Sequence, residues 1–154
     1  MQKRWSEGIA VRPITVRDTE AIVLLEKHVS SPWNTSLIEA ELTHARSFAL
    51  AAIVREELIG WCCCRYVRDE AELLKISVAG KWRRRSVATR MLAELEEQLR
   101  AVEACCLYLE VRAENQPAIS FYLRSGFTVT GRRINYYSQP RDDALVFKKT
   151  ISHI

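Results

Sequence analysis

Four cations fall within the five residues Lys81-Trp82-Arg83-Arg84-Arg85, directly before Ser86-Val87-Ala88 and a run with helical spacing. A strand that ends in a short polar loop and opens a helix is a ready anion site. The first free amides of the helix point outward, and the helix dipole adds favourable potential. This suits a small polyanion better than a nucleic acid, which requires a longer basic stripe with interleaved aromatics. The other basic bursts, Arg132-Arg133 and Lys148-Lys149, are shorter, and each burst taken alone reads equally well as a solvated loop. A second candidate is Glu110, near the end of an aliphatic run. A carboxylate there can take a proton from an amine, directly or through a water, or form a salt bridge to a basic neighbour such as Arg112.

Five cysteines stand as Cys62, Cys63, Cys64 and Cys105, Cys106. An odd number in two adjacent clusters opposes a disulfide framework. Metal sites offer ligands as C-x-x-C pairs with a second pair or histidines at a set distance, and His28, His44 and His153 lie far from either cluster. Consecutive strand residues also face opposite ways. The cysteines therefore read as small apolar residues of buried strands, with no metal.

The elements that must position these groups follow from periodicity. Ile9–Ile14 alternates as a first strand. Thr15 with Asp18 resembles a capping box opening a helix with Ile22, Leu25 and Val29 on one face. Ser30–Asn34 breaks it, and Ser36 with Glu39 starts a second short helix. Phe48–Val54, a turn at Arg55-Glu56-Glu57, and Leu58–Val67 predict an antiparallel hairpin, and Arg68-Asp69-Glu70 turns the chain into Ala71–Val78. After the basic loop, Val87, Met91, Leu92, Leu95 and Leu99 mark a clear helix. Cys105–Val111 predicts a buried strand, Asn115-Gln116-Pro117 a helix start and Gly126 its end. Phe127–Tyr137 and Ala144–Ile151 close the chain. The strand–helix–strand unit in the middle implies two parallel strands, so the whole is a mixed α/β sheet, read as one domain over 1–154.

Composition agrees with an ordinary globular chain: 154 residues, 48% apolar, 27% charged, net charge +4. No stretch approaches the ~18 uncharged apolar residues of a membrane span, and MQKRWSEGIAVRP lacks the apolar core of a signal peptide. The expectation is a cytoplasmic protein with no membrane or nucleic-acid partner.

The run Arg83-Arg84-Arg85-Ser86-Val87-Ala88 resembles the cofactor motif of the GNAT superfamily: Arg or Gln, two variable residues, Gly, one variable residue, then Gly or Ala. Only Ser86, in the glycine position, departs from it. The segments DEAELLKISV, LYLEVRAENQPAISFYLRSGF and GRRINYYSQPRDDALVFKKTI, with Ser31-Pro32-Trp33, resemble the RimI-type branch of protein N-terminal acetyltransferases. The resemblance covers nearly the full chain and is strongest from Asp69 onward. It implies the GNAT fold, a mixed, mostly antiparallel central sheet with a βαβ acetyl-CoA-binding core and flanking helices. It also implies acetyl transfer from acetyl-CoA to a protein N-terminal amine, in this branch the N-terminal alanine of a small-subunit ribosomal protein.

Residue by residue, the resemblance assigns the pyrophosphate to Arg83, Arg84, Arg85, Ser86, Val87, Ala88 and Thr89. The backbone of Ile76, Ser77 and Val78 takes the pantetheine arm, and Asn115 matches a residue that contacts CoA, with a plain N-cap as its other reading, alone or beside that contact. Glu110 becomes the general base and Tyr122 the proton donor to the departing thiolate; Trp33, Tyr136 and Tyr137 border the peptide cleft. Ser86 has two opposed readings: its Cβ crowds the pyrophosphate, or its hydroxyl caps the helix. Two other functions stay open at this point, a GNAT enzyme for small amines or lysine side chains and a non-catalytic CoA-binding module. An acyl carrier at Cys105 or Cys106 is disfavoured, because no nearby histidine activates either thiol.

Overall fold

The computed structural model describes residues 8–153; the basic N-terminal start Met1–Glu7 lies outside them. Seven strands form one sheet in the order β1-β2-β3-β4-β5-β7-β6: β1 (Ala10–Pro13), β2 (Ser47–Val54), β3 (Glu57–Val67), β4 (Glu70–Val78), β5 (Cys106–Arg112), β6 (Thr128–Ser138) and β7 (Arg141–Thr150). Four α-helices accompany them: α1 (Thr19–Glu26), α2 (Thr35–Leu42), α3 (Val87–Ala101) and α4 (Gln116–Arg124). The β1–β2, β2–β3, β5–β7 and β6–β7 ladders are antiparallel and β4–β5 is parallel, as the crossover helix requires. The chain contacts itself as two units, residues 8–65 with 74–98 and residues 66–73 with 99–153.

In the first unit the Thr15 amide donates to Asp18 Oδ2 at 2.9 Å, but the box opens a 3₁₀ turn over Val16–Asp18 before α1 begins. Ile22 and Leu25 are buried against Ile38, Trp61 and Cys63. The second helix begins at Thr35, not at Ser36, because Asn34 is its cap: Asn34 Oδ1 accepts from the Leu37 amide at 2.9 Å. The hairpin turn is tighter than expected, since Glu57 already pairs with Val54. Arg55 and Glu56 both take positive φ, 49° and 68°, the geometry of a two-residue turn that matches strand twist.

On the other face of β3, Gly60 lies under α3. A Cβ there would meet Ser77 O at 3.0 Å and Met91 Cε at 3.1 Å. The missing side chain lets the helix approach the sheet, and Val87, Met91, Leu92 and Leu95 all bury.

In the second unit α4 starts at the Asn115 cap and ends at Gly126, φ +95°. There the Phe127 amide reaches back to Tyr122 O at 3.0 Å, a C-terminal glycine closure. Leu107, Leu109, Phe127 and Phe147 form the buried layer. β6 is the outer strand of the sheet.

Cys62, Cys63, Cys64 and Cys106 are buried as expected, but Cys105 is exposed, because it precedes β5. Burial pushes all three adjacent β3 thiols up, Cys64 to about 12, so they stay protonated. Among the described residues no cluster of His, Cys, Asp and Glu is placed to hold a metal ion, and no helix is long and apolar enough to cross a membrane.

Candidate active site

The basic loop belongs to the first unit. β4 ends at Val78, a 3₁₀ turn runs over Gly80–Trp82, and α3 begins at Val87. Arg83 Nε donates to Val78 O at 3.3 Å, and the Arg85 guanidinium lies 5.1 Å from the centre of the Trp82 ring. Arg83 to Ser86 are exposed, whereas Val87 is buried and fixes the start of the helix.

Arg84 and Ser86 both take the left-handed backbone conformation, φ 61° and 63°. This explains a glycine at the Ser86 position in physical terms, since a side chain there costs on the order of 1 kcal/mol. Ser86 holds the N-cap position of α3, its carbonyl accepting from the Arg90 amide at 3.1 Å, but in the left-handed rather than the usual extended N-cap conformation. The cations, the left-handed turns and the start of a 15-residue helix suit a polyphosphate.

The β4–β5 ladder pairs only Glu70, Ala71 and Glu72 with Cys106, Leu107 and Tyr108. Ile76, Ser77 and Val78 lie beyond that stretch, with Ser77 buried. Next to them, Lys75 Nζ donates to Ser31 O at 2.7 Å and pairs with Glu26 Oε2 at 3.3 Å. Glu26 is 0% exposed, and its Oε1 accepts from Trp61 Nε1 at 3.2 Å. Trp33 packs edge-on against Trp61 with ring centres 5.6 Å apart. A buried ion pair thus ties the Ser31–Trp33 loop to the sheet.

In the second unit Glu110 stands on β5 with its side chain 21% exposed. Oε1 is 3.4 Å from Arg133 Nε, while Oε2 is buried and accepts no hydrogen bond among the described residues. The Arg133 guanidinium lies 5.6 Å from the Tyr136 ring centre, and the nearby charge of Glu110 pushes the Tyr136 phenol up. Burial first, then Glu110, does the same for Tyr137.

Arg112, the basic neighbour offered by the alternative reading of Glu110, is engaged elsewhere. It donates to Pro140 O and Gln139 O at 2.8 and 3.1 Å and stacks on the Tyr137 ring at 4.2 Å. An exposed pair such as Arg133–Glu110, with the cation 57% exposed, contributes at most about 1 kcal/mol, so it parts easily.

Tyr122 is buried in an aromatic cluster, 5.5 Å from the Phe127 ring centre and 6.0 Å from that of Phe147. Asn115 caps α4, its Oδ1 accepting from the Ala118 amide at 3.3 Å.

Glu110, Tyr136 and Tyr137 are therefore brought together within one unit, with Tyr122 and Asn115 on the helix that follows β5. Ile76–Thr89 and Trp33 belong to the other unit. Sequence reasoning missed Arg133 as the partner of Glu110 and missed the Glu26–Lys75 pair. The available signal for the pair was a glutamate four residues after Ile22, on the apolar face of α1.

Residues 16–127 match the model of the acetyltransferase (GNAT) family. A Bacillus subtilis (strain 168) relative, provisionally named a ribosomal protein bS18-alanine N-acetyltransferase, is 29% identical over 146 residues, 93% of this chain and 96% of its own length. The ribosomal protein bS18-alanine N-acetyltransferase of Salmonella typhimurium is 33% identical over 99 residues, 63% of this chain and 67% of its own. Among solved structures, the ribosomal-protein-S18-alanine N-acetyltransferase from Escherichia coli superposes with a TM-score of 0.87 at 26% identity, covering 94% of both chains.

Proposed function

The chain belongs to the acetyltransferase (GNAT) family, and on that premise we propose that it moves acetyl from acetyl-CoA to a protein N-terminal α-amine. The acceptor we infer is the N-terminal alanine of a small-subunit ribosomal protein, which is what the names of the similar bacterial enzymes specify, and the whole of 1–154 serves as one catalytic domain.

One observation carries the reading: a carboxylate on β5 with one buried oxygen that accepts no hydrogen bond, flanked by two tyrosines. An α-amine has a pKa of about 8 and is largely protonated at neutral pH. Glu110 takes its proton, directly or through a water, and frees the lone pair for attack on the thioester carbonyl. Acetyl-CoA supplies the activated acyl group. Arg83, Arg84 and Arg85 with the amides of Ser86–Thr89 hold its pyrophosphate, and Asn115 touches CoA.

The backbone of Ile76–Val78 lies along the pantetheine arm, and an amide there polarises the carbonyl. When the C–S bond breaks, Tyr122 gives its phenolic proton to the departing sulfur, and the nitrogen's second proton returns through solvent to the phenolate, so the products are acetylated amine and neutral thiol. Tyr136, Tyr137 and Trp33 border the peptide.

The protein incubated with acetyl-CoA should release free thiol with N-terminal alanine peptides, and much less with lysine peptides or polyamines. Thiol release with polyamines or lysine peptides alone would replace this acceptor, and CoA binding without turnover on any amine would leave only a binding module.

A further inference from the structure

Tyr136 and Tyr137 are adjacent in sequence, yet both face the same wall. The register pairs Tyr137 with Asp142, and Arg112 and Arg133 with Ala144. Tyr137, Arg112 and Glu110 consequently share one face, as the Arg112–Tyr137 stack requires. In a regular strand Tyr136 would then point to the opposite face. Its ring instead lies 5.6 Å from the Arg133 guanidinium that pairs with Glu110, and its ring centre is 5.1 Å from that of Tyr137.

The cause is an irregularity between Arg133 and Tyr137. β6 advances four residues there (133 to 137) while β7 advances two (144 to 142), so β6 carries two extra residues. Asn135 lies inside this bulge at φ +53°. Opposite it, Asp143 accepts from the Asn135 amide through Oδ1 at 2.7 Å and from Arg132 Nε through Oδ2 at 2.7 Å. Its side chain is also paired with Arg132 Nη2 at 2.7 Å. One donor lies inside the bulge and the other just before it, and Asp143 holds both from the face away from Glu110.

We propose that Asp143 is a positioning residue for the acceptor site: by clamping the Asn135 bulge it turns Tyr136 onto the same face as Tyr137 and Glu110. This rests on the reading of Glu110 and the two tyrosines as the acceptor wall. Asp143 touches no substrate, so its loss acts through where Tyr136 stands.

The test uses Asp143→Ala, and Asp143→Ala combined with Asn135→Gly. Glycine adopts positive φ without a clamp, so the second change restores the bulge that the first releases. Asp143→Ala should raise KM for an N-terminal alanine peptide roughly tenfold, as expected for losing a charge-assisted hydrogen bond that orients one wall. The KM for acetyl-CoA and kcat should stay within about twofold, and the double variant should recover most of the peptide affinity. An equal loss toward both substrates, or no recovery in the double variant, would reduce Asp143 to a general stability role and overturn the proposal.

A spectrophotometric titration of the phenols, with Tyr136→Phe marking the Tyr136 contribution, reads the geometry without turnover. In Asp143→Ala the Tyr136 phenol should fall toward its ordinary value as it leaves Glu110; an unchanged titration also overturns the clamp. Inactivity of the unaltered protein on all N-terminal peptides, with the titration shift present, would instead refute the acceptor assignment and leave the clamp standing.

Discussion

Replacing Lys75 by Met keeps the aliphatic stem and removes only the cation. Glu26, 0% exposed, would then hold its charge beside the Trp61 indole N–H donor alone. Removing one partner of a buried pair costs about 3–5 kcal/mol when the other stays charged. Burial already pushes the Glu26 carboxyl up, with Lys75 opposing that push.

The folded carboxyl thus lies above its unfolded value of about 4.3. Its contribution to stability is fully present below that value and is lost as pH rises through the folded pKa. Without Lys75 the folded value moves further up, so the deficit of Lys75→Met should grow between about pH 5 and pH 8, by at most about 1.4 kcal/mol per pH unit.

Urea unfolding of both proteins at pH 5.5 and pH 8, with m-values compared, measures this. We expect a loss of about 3–5 kcal/mol at pH 8 and clearly less at pH 5.5. Glu26→Gln should be milder, since Lys75 keeps the Ser31 carbonyl and is 12% exposed. A Lys75→Met cost under about 1 kcal/mol at pH 8, or one that ignores pH, would refute the argument.

Four further outcomes concern the candidate site. Glu110→Gln should lower kcat/KM by roughly 10²-fold or more with CoA affinity near normal, checked by steady-state kinetics and calorimetry; Tyr122→Phe should slow thiolate departure, with its effect on the basic rather than the acidic limb of the pH profile. Arg83→Ala with Arg84→Ala should weaken CoA binding most at low salt, because exposed cations are screened as ionic strength rises, so calorimetric titrations at two salt concentrations should converge. Ser86→Gly should leave stability unchanged or raise it by up to about 1 kcal/mol in thermal unfolding, the relief of left-handed strain being offset by unfolded-state entropy, and should not weaken CoA binding.

The helix α3 was legible because its apolar spacing is regular: Val87, Met91, Leu92, Leu95 and Leu99 all bury. The parallel β4–β5 pair followed from that helix and the two strands around it. Boundaries failed where several residues could do one job. Asn34, Thr35 and Ser36 can each cap a helix, and only the fold chooses Asn34.

The cation that pairs with Glu110 was hidden for a similar reason. Arg112 shares its face two residues on, but Arg133 arrives from a different strand. Local periodicity cannot show which distant cation a sheet brings in, nor the bulge that gathers Tyr136 and Tyr137. For Ser86 the family pattern marked the position, but only the backbone angle showed why glycine suits it.

The bulge also bears on how this protein keeps to itself. β6 is an outermost strand of eleven residues, with Val129 and Ile134 exposed. A straight edge of that length offers unpaired amides and carbonyls on which a second chain can add a strand. Register breaks at Val129/Gly131 and Arg133/Tyr137 divide it into short regular pieces, and the guanidinium groups of Arg132 and Arg133 lie between them. A β6 ironed flat would lose its tyrosine wall and become a template for aggregation in the same stroke.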